Sequence, residues 1–239
     1  MHTHHATSFQ RSSGEGLTAL ALLTVTGLCM VTARGFFTGN WWLFTMLTWN
    51  LALAWFPLGI MLVLRDLVKA RVANRWLSGL ALAGWLVFLP NAPYIITDLF
   101  HIRSVGESLL WFDTLTLFLF ALTGLLAGLY STLLVHRYLN DGTQPALAWL
   151  VVLAAQGLSG FGIYLGRYGR WNSWDILTHP DSLLVAIGRA MRDPMVLKLT
   201  LTYGVTLACL YLAFYLYGLR SHVAARPMRY LFDNSALND

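Results

Sequence analysis

This sequence is short of charge. Asp, Glu, Lys and Arg make up 11% of its 239 residues, about half of the roughly 25% that a soluble domain carries. A chain of this length cannot cover a water-facing surface on so little charge, which excludes an ordinary soluble domain. Cysteine is scarce as well. Cys29 and Cys209 both lie inside apolar runs with no metal-ligand spacing around them. They read as small buried hydrophobes and carry no information on redox compartment. Several motifs are missing too. No HExxH pair argues for a zinc hydrolase, and no serine elbow argues for an acyl hydrolase. No basic-aromatic array argues for nucleic acid, no internal repeat is evident, and the short alternating segments of a membrane β-barrel do not appear.

What is present is apolar. Hydrophobic residues reach 57% and the mean hydropathy is +0.59. Six runs stand out: Leu17–Ala33, Trp41–Leu64, Trp76–Ile96, Leu109–Val135, Pro145–Leu165 and Met195–Leu219. A helix needs roughly 17–25 residues to span a bilayer, and backbone groups in hydrocarbon must pair internally. The expected fold is therefore all-α, a polytopic transmembrane bundle of about six spans. A polar tail over 1–16 precedes a single membrane domain over 17–219, and a basic tail over 220–239 follows. The tract His2-Thr3-His4-His5 reads as part of a flexible terminus. Arg11 before the first run and Val31-Thr32-Ala33 at its end resemble a signal peptide with its cleavage site. The run exceeds the roughly 7–15 residues of a signal core, so a retained span is expected.

The net charge is +5, and its basic residues sit between apolar runs. This points to anionic lipid headgroups as partners rather than nucleic acid. Arg65, Lys69, Arg71 and Arg75 follow the second run, and Arg220, Arg226 and Arg229 follow the sixth. By the positive-inside rule both loops, and with them both termini, are cytoplasmic. Arg167, Arg170, Arg189 and Arg192 in the opposite segment, 166–194, oppose that assignment. Within this segment Asp181 is placed to cap an amphipathic helix carrying Leu183, Leu184, Ile187 and Met191 on one face, lying on the membrane.

Polar residues gather in three places. Pro90 and Pro93 remove two backbone donors and disfavour helix before them, so the third span should break there. Asn91 is placed to cap a short second helix. On it Tyr94, Thr97, Asp98 and His101 would share one face. Asp113 opens the fourth span, where the helix dipole favours an acid; if submerged it needs a partner. Arg167 and Arg170 close the fifth, followed by Asn172 and Asp175. Their forked guanidinium groups suit phosphates or carboxylates, but lipid-headgroup anchoring explains them equally. Gly124/Gly128 and Gly162/Gly166 are GxxxG pairs, best read as packing, and Gln156 should hydrogen-bond between helices.

On this topology three segments bring acid, imidazole and guanidinium to one membrane face. Asp98, His101 and Asp113 are the candidate catalytic residues. Asn91, Tyr94, Arg167, Arg170, Asn172 and Asp175 are the candidate substrate-binding ones. Asp98 and His101 could supply two metal ligands, with Asp113 or Asp175 a third. No cofactor is assignable.

Four strings resemble a bacterial integral-membrane family, domain of unknown function 1361. They are LPNAPYIITDL from Leu89, WFD from Trp111, SGFGIYLGR from Ser159 and RWNSWD from Arg170. The resemblance covers the core from about Trp76 to the sixth span. It implies a protein of the bacterial cytoplasmic membrane and supplies no reaction. Three functions stay open: a protein that binds or processes an anionic or lipid-linked substrate, a small transporter or channel, or an accessory subunit docking a membrane-protein partner.

Overall fold

In the computed structural model the backbone is described for residues 2–104 and 109–224, and side chains for 14–102 and 109–218. Among these residues there is helix and no strand. Six helical segments are long and apolar enough to cross a bilayer. They are α1 (His2–Thr38), α2 (Trp42–Lys69), the interrupted third span (Arg75–Ile102), α5 (Leu110–Gly142), α6 (Pro145–Arg167) and α9 (Pro194–Ala224). The chain is a multi-pass helical membrane protein. The first residues, expected as a separate tail, have helical backbone continuous with α1. The histidine side chains of that tail and the arginines at 226 and 229 lie outside the described residues.

Local signals account for most boundaries. Gly39, at φ +68°, ends α1, and the Asn40 carboxamide accepts from the Trp42 N–H. Asn74 caps the third span by accepting from the Leu77 N–H at 2.9 Å. Pro145 opens α6 at a position where the missing N–H costs nothing. The connection after α6 holds the short α7 (Asp175–Thr178) and the amphipathic α8 (Pro180–Ala190). Asp181 is not its cap. His179 holds that position and Asp181 sits in the first turn, because Pro180 takes N1. Cys29 and Cys209 are exposed rather than buried. In a membrane protein the outer surface of a span is apolar, so a small hydrophobe there faces lipid.

α5 is the axis of the bundle. Of its most apolar stretch 72% is buried, against 17–39% in the other five spans. The third span wraps it in pieces: α3 (Arg75–Phe88), α4 (Asn91–Tyr94) and a 3-10 segment (Ile95–Ser104). The break falls at the two prolines, as the sequence predicts. Asn91 does not cap the second piece, since Pro90 holds that position. Its side chain instead donates to the Phe88 carbonyl at 3.0 Å and to Ser173 Oγ at 2.9 Å, while Ser173 Oγ donates to the Val87 carbonyl at 3.0 Å. Carbonyls released by a helix break inside a membrane must find such partners.

Glycine lets the broken segment sit this close. A Cβ at Gly124 of α5 would stand 2.7 Å from the Ala92 carbonyl oxygen, and one at Gly128 would stand 2.9 Å from Ala92 Cβ. From the other side, a Cβ at Gly162 of α6 would meet Pro90 Cγ at 2.5 Å, and one at Gly166 the Tyr94 ring at 3.1 Å. Both GxxxG pairs thus serve packing, and both face the broken stretch rather than a continuous helix. Gln156 reaches between spans as expected, donating to Thr132 Oγ1 of α5.

Overpacking against fixed backbone costs about 1–3 kcal/mol. Gly124→Ala should lower stability to denaturant in micelles by that amount. Gly59→Ala, in α2 with nothing within 4 Å of the added methyl, should leave it unchanged or raise it. Equal behaviour of the two variants would refute the clamp.

Candidate functional site

The 3-10 winding of Ile95–Ser104 changes which residues share a face. At about three residues per turn, positions i and i+3 eclipse. Asp98 and His101 therefore align, while Tyr94 and Thr97 belong to another row. The expected shared face of all four, which assumed α-helix, does not form. The Thr97 hydroxyl donates back to the Tyr94 carbonyl at 2.7 Å.

Asp98 is 1% exposed. Asn50 of α2 donates to its Oδ2 at 2.7 Å, and Arg167 Nη1 lies 3.9 Å from its Oδ1. The same Nη1 is 3.5 Å from His101 Nε2, and the guanidinium stands over the Phe100 ring. Trp42 meets the His101 ring edge-on. The structure thus joins three expected residues, Asp98, His101 and Arg167, with Asn50 added.

Asp113 does not join them. It is fully buried, and Arg34 of α1 holds both its oxygens through Nε at 2.7 and 2.9 Å. The submerged acid thus has a partner, on the first span. Asp175 is also used locally. Its Oδ2 accepts from the Asn172 backbone N–H at 2.7 Å and its Oδ1 from Thr178 at 3.2 Å, with His179 at 3.6 Å. The backbone bond from Asn172, more than any other contact, holds its carboxyl below the usual aspartate range. With these two acids occupied, the expected third metal ligand is missing. Among the described residues no three His, Cys, Asp or Glu side chains gather as a metal set.

The remaining candidates line a cleft of about 510 Å³ between α2 and α3 on one side and α6 on the other, roofed by the stretch from Arg170 to Ile187. Asn91, Tyr94, Arg170 and Asn172 are on its wall; Asp98, His101, Asp113, Arg167 and Asp175 are not. Asn50 and Ser173 supply further polar atoms, and Leu53, Leu86, Leu158 and Phe161 the apolar wall. Leu183 and Ile187 of α8 turn into the cleft, while Leu184 and Met191 stay exposed at 66% and 76%.

Arg170 differs from its neighbour. It is exposed and has no hydrogen bond or ion pair among the described residues. Its φ is +57°, a conformation that a non-glycine residue adopts at a cost. Glycine stands one position earlier, because a Cβ at 169 would lie 2.7 Å from the Leu165 carbonyl oxygen and 2.6 Å from the Trp171 ring. Tyr94 likewise has no partner for its hydroxyl among the described residues.

The sequence matches the family described as protein of unknown function (DUF1361) over residues 49–216. The chain belongs to that family. The matched stretch runs from within α2 to within α9 and contains the broken span, the cleft and Asp113. Arg34, the ion-pair partner of Asp113, lies outside it. Comparison with curated proteins and with solved structures gives no match.

Arg34, Asn50 and Ser173 were not singled out from the sequence. Asn50 carried a usable signal, a lone carboxamide inside an apolar run, where a polar group needs a partner. Arg34 stood just past the end of the expected first span. Ser173 gave none of its own.

Removing one partner of a buried ion pair strands the other and costs roughly 3–5 kcal/mol, whereas an apolar replacement of both is often neutral. Arg34→Gln should therefore destabilise the bundle to that extent in chemical unfolding, and Arg34→Met with Asp113→Leu should recover most of the loss. An Arg34→Gln protein as stable as the parent would mean that the pair contributes nothing.

Proposed function

We propose that this DUF1361 protein binds an anionic ligand, a phosphate or carboxylate group, at the mouth of the cleft, with Arg170 as the contact residue. The observation that carries the reading is the division of labour between two arginines three positions apart. Arg167 stands beside Asp98 and His101. Arg170 is unpaired and held at positive φ on the cleft wall. A strained residue is an outlier from which function can be hypothesised, and a free guanidinium fork suits oxyanions bidentately. Tyr94 and Asn172 offer further hydrogen-bonding groups on the same wall. Asn91 supports the site indirectly, through Ser173 and the Phe88 carbonyl. Asp98 and His101 position Arg167 and the end of α6.

The test is thermal stability in detergent with and without dodecyl phosphate, since a ligand that binds only the folded state raises the unfolding midpoint. Arg170→Gln should abolish the rise. Arg170→Gly should abolish it too, while raising the unliganded stability by about 1 kcal/mol through relief of the left-handed conformation. Arg71 at the far end of α2 has the same φ of +57°. Arg71→Gly should gain the same unliganded stability and keep the full response. A response to dodecyl phosphate that survives Arg170→Gln sinks the proposal.

The same reading places the cleft on the non-cytoplasmic side of the bacterial cytoplasmic membrane. Its support is the basic loop after α2, with Arg65, Lys69, Arg71 and Arg75. In intact cells a membrane-impermeant maleimide should label Asn172→Cys and should reach Val72→Cys only after permeabilisation. The reverse pattern would put the cleft in the cytoplasm.

A further inference from the structure

The cleft does not end where its polar wall ends. A second, apolar cavity of about 310 Å³ lies between α3 and α6, against Val135 and Leu139 of α5. Leu86 and Leu158 line both cavities, so the two meet at these side chains. At about 1.5 Å of rise per residue, Leu158 lies roughly 14 Å along α6 from Arg167, and Val151 in the deeper cavity roughly 24 Å. The hydrocarbon core of a bilayer is about 30 Å thick. Leu158 and Val151 are exposed on the outer surface of α6, so the furrow is open to lipid along its side. Its walls include Ala83 of α3 and Ala154 of α6, both small and both exposed.

We infer that the anion bound at Arg170 is the headgroup of a long-chain lipid, whose chain leaves the cleft past Leu86 and Leu158 and lies in the furrow between α3 and α6. This rests on the assignment of Arg170 as the anion contact and names the substrate class of that site. Charge and shape agree on one occupant. The mouth is cationic and polar, the furrow beyond it is apolar, and together they run most of the depth of a hydrocarbon core. A free anion uses the mouth and leaves the furrow without a function. A neutral chain uses the furrow and leaves Arg170 unpaired. Side access from the bilayer lets a lipid enter without its chain crossing water, and each buried methylene adds to affinity.

Native mass spectrometry of the detergent-purified full chain separates the alternatives. Three probes are offered at equal concentration: hexadecyl phosphate, hexadecanol and inorganic phosphate. The protein should retain hexadecyl phosphate at least tenfold over either of the others. Ala83→Phe and Ala154→Phe fill the furrow from opposite walls at exposed positions, where added bulk does not disturb the core. Each should cut retention of hexadecyl phosphate by about tenfold, as should Arg170→Gln. If both phenylalanine variants retain it like the parent while Arg170→Gln loses it, the furrow assignment is overturned and the anion site stands. Displacement of hexadecyl phosphate by an equal concentration of inorganic phosphate overturns the lipid class in the same way. Retention that survives Arg170→Gln removes the anion contact itself, and the furrow inference with it.

Discussion

Proline at 90 and 93 removes two backbone donors from a helix that crosses hydrocarbon, and the rest of the structure answers that loss. The missing donors would have met the carbonyls of Leu86 and Leu89; the break also frees those of Val87 and Phe88, which are satisfied by Ser173 and Asn91. This ties the connection after α6 to the middle of the third span, through residues more than eighty positions apart. The broken stretch also needs neighbours without side chains, which Gly124, Gly128, Gly162 and Gly166 provide. Once α4 is held between α5 and α6, α3 leans on α2 and cannot also fill the space beside α6. The cleft and the furrow are what remains of that space. A straight third span would have no such carbonyls to satisfy.

Charge inside the bundle follows a second rule, that a carboxylate withdrawn from water must have a specific partner. Asp113 has Arg34, Asp98 has Asn50 with Arg167 beyond, and Asp175 has its own loop. Each acid is matched close to where it sits in the chain or across one helix contact. This separates residues that look alike in a list of polar positions. The acids are tied into the framework of the fold, whereas Arg170, on the wall of the cleft, has no ion-pair partner among the described residues.

The sequence makes the framework legible and the site only partly so. Six spans follow from hydropathy and length, which depend on composition alone, and the position of the break follows from proline chemistry. The winding of the chain after the break does not follow. Ile95–Ser104 has no feature that selects 3-10 over α, and the choice is made by docking against α5 and α2. Because the winding decides which residues eclipse, the expected row of Tyr94, Thr97, Asp98 and His101 fails while the pair Asp98 and His101 survives. Asp113 was legible as an acid in need of a partner. That partner is a long-range contact, 79 positions away in α1, and no local pattern identifies it. The four residues that do line the cleft were each singled out by chemistry: Asn91, Tyr94, Arg170 and Asn172. The five that do not line it were singled out on the same grounds. Residue type shows which side chains need a partner, and packing decides whether protein or ligand supplies it.

The two positive-φ arginines show how that distinction is drawn from geometry. Arg71 ends α2 in a regular Schellman closure. Its N–H bonds the Val68 carbonyl and the following N–H bonds the Leu67 carbonyl. Its conformation is explained by the helix end. Arg170 follows a wider closure, in which the Trp171 N–H reaches the Leu165 carbonyl, one residue further back than the Schellman pattern. Glycine at 169 is required by the close approach of Leu165 and the Trp171 ring, so the left-handed conformation falls on the next residue. Glycine or asparagine would meet that backbone requirement at lower cost. An arginine there adds nothing to the helix closure and projects a charge with no protein partner among the described residues. Local geometry thus accounts for the backbone at both arginines, and what sets Arg170 apart is its place on the wall of the cleft, which is the ground for the ligand proposed there.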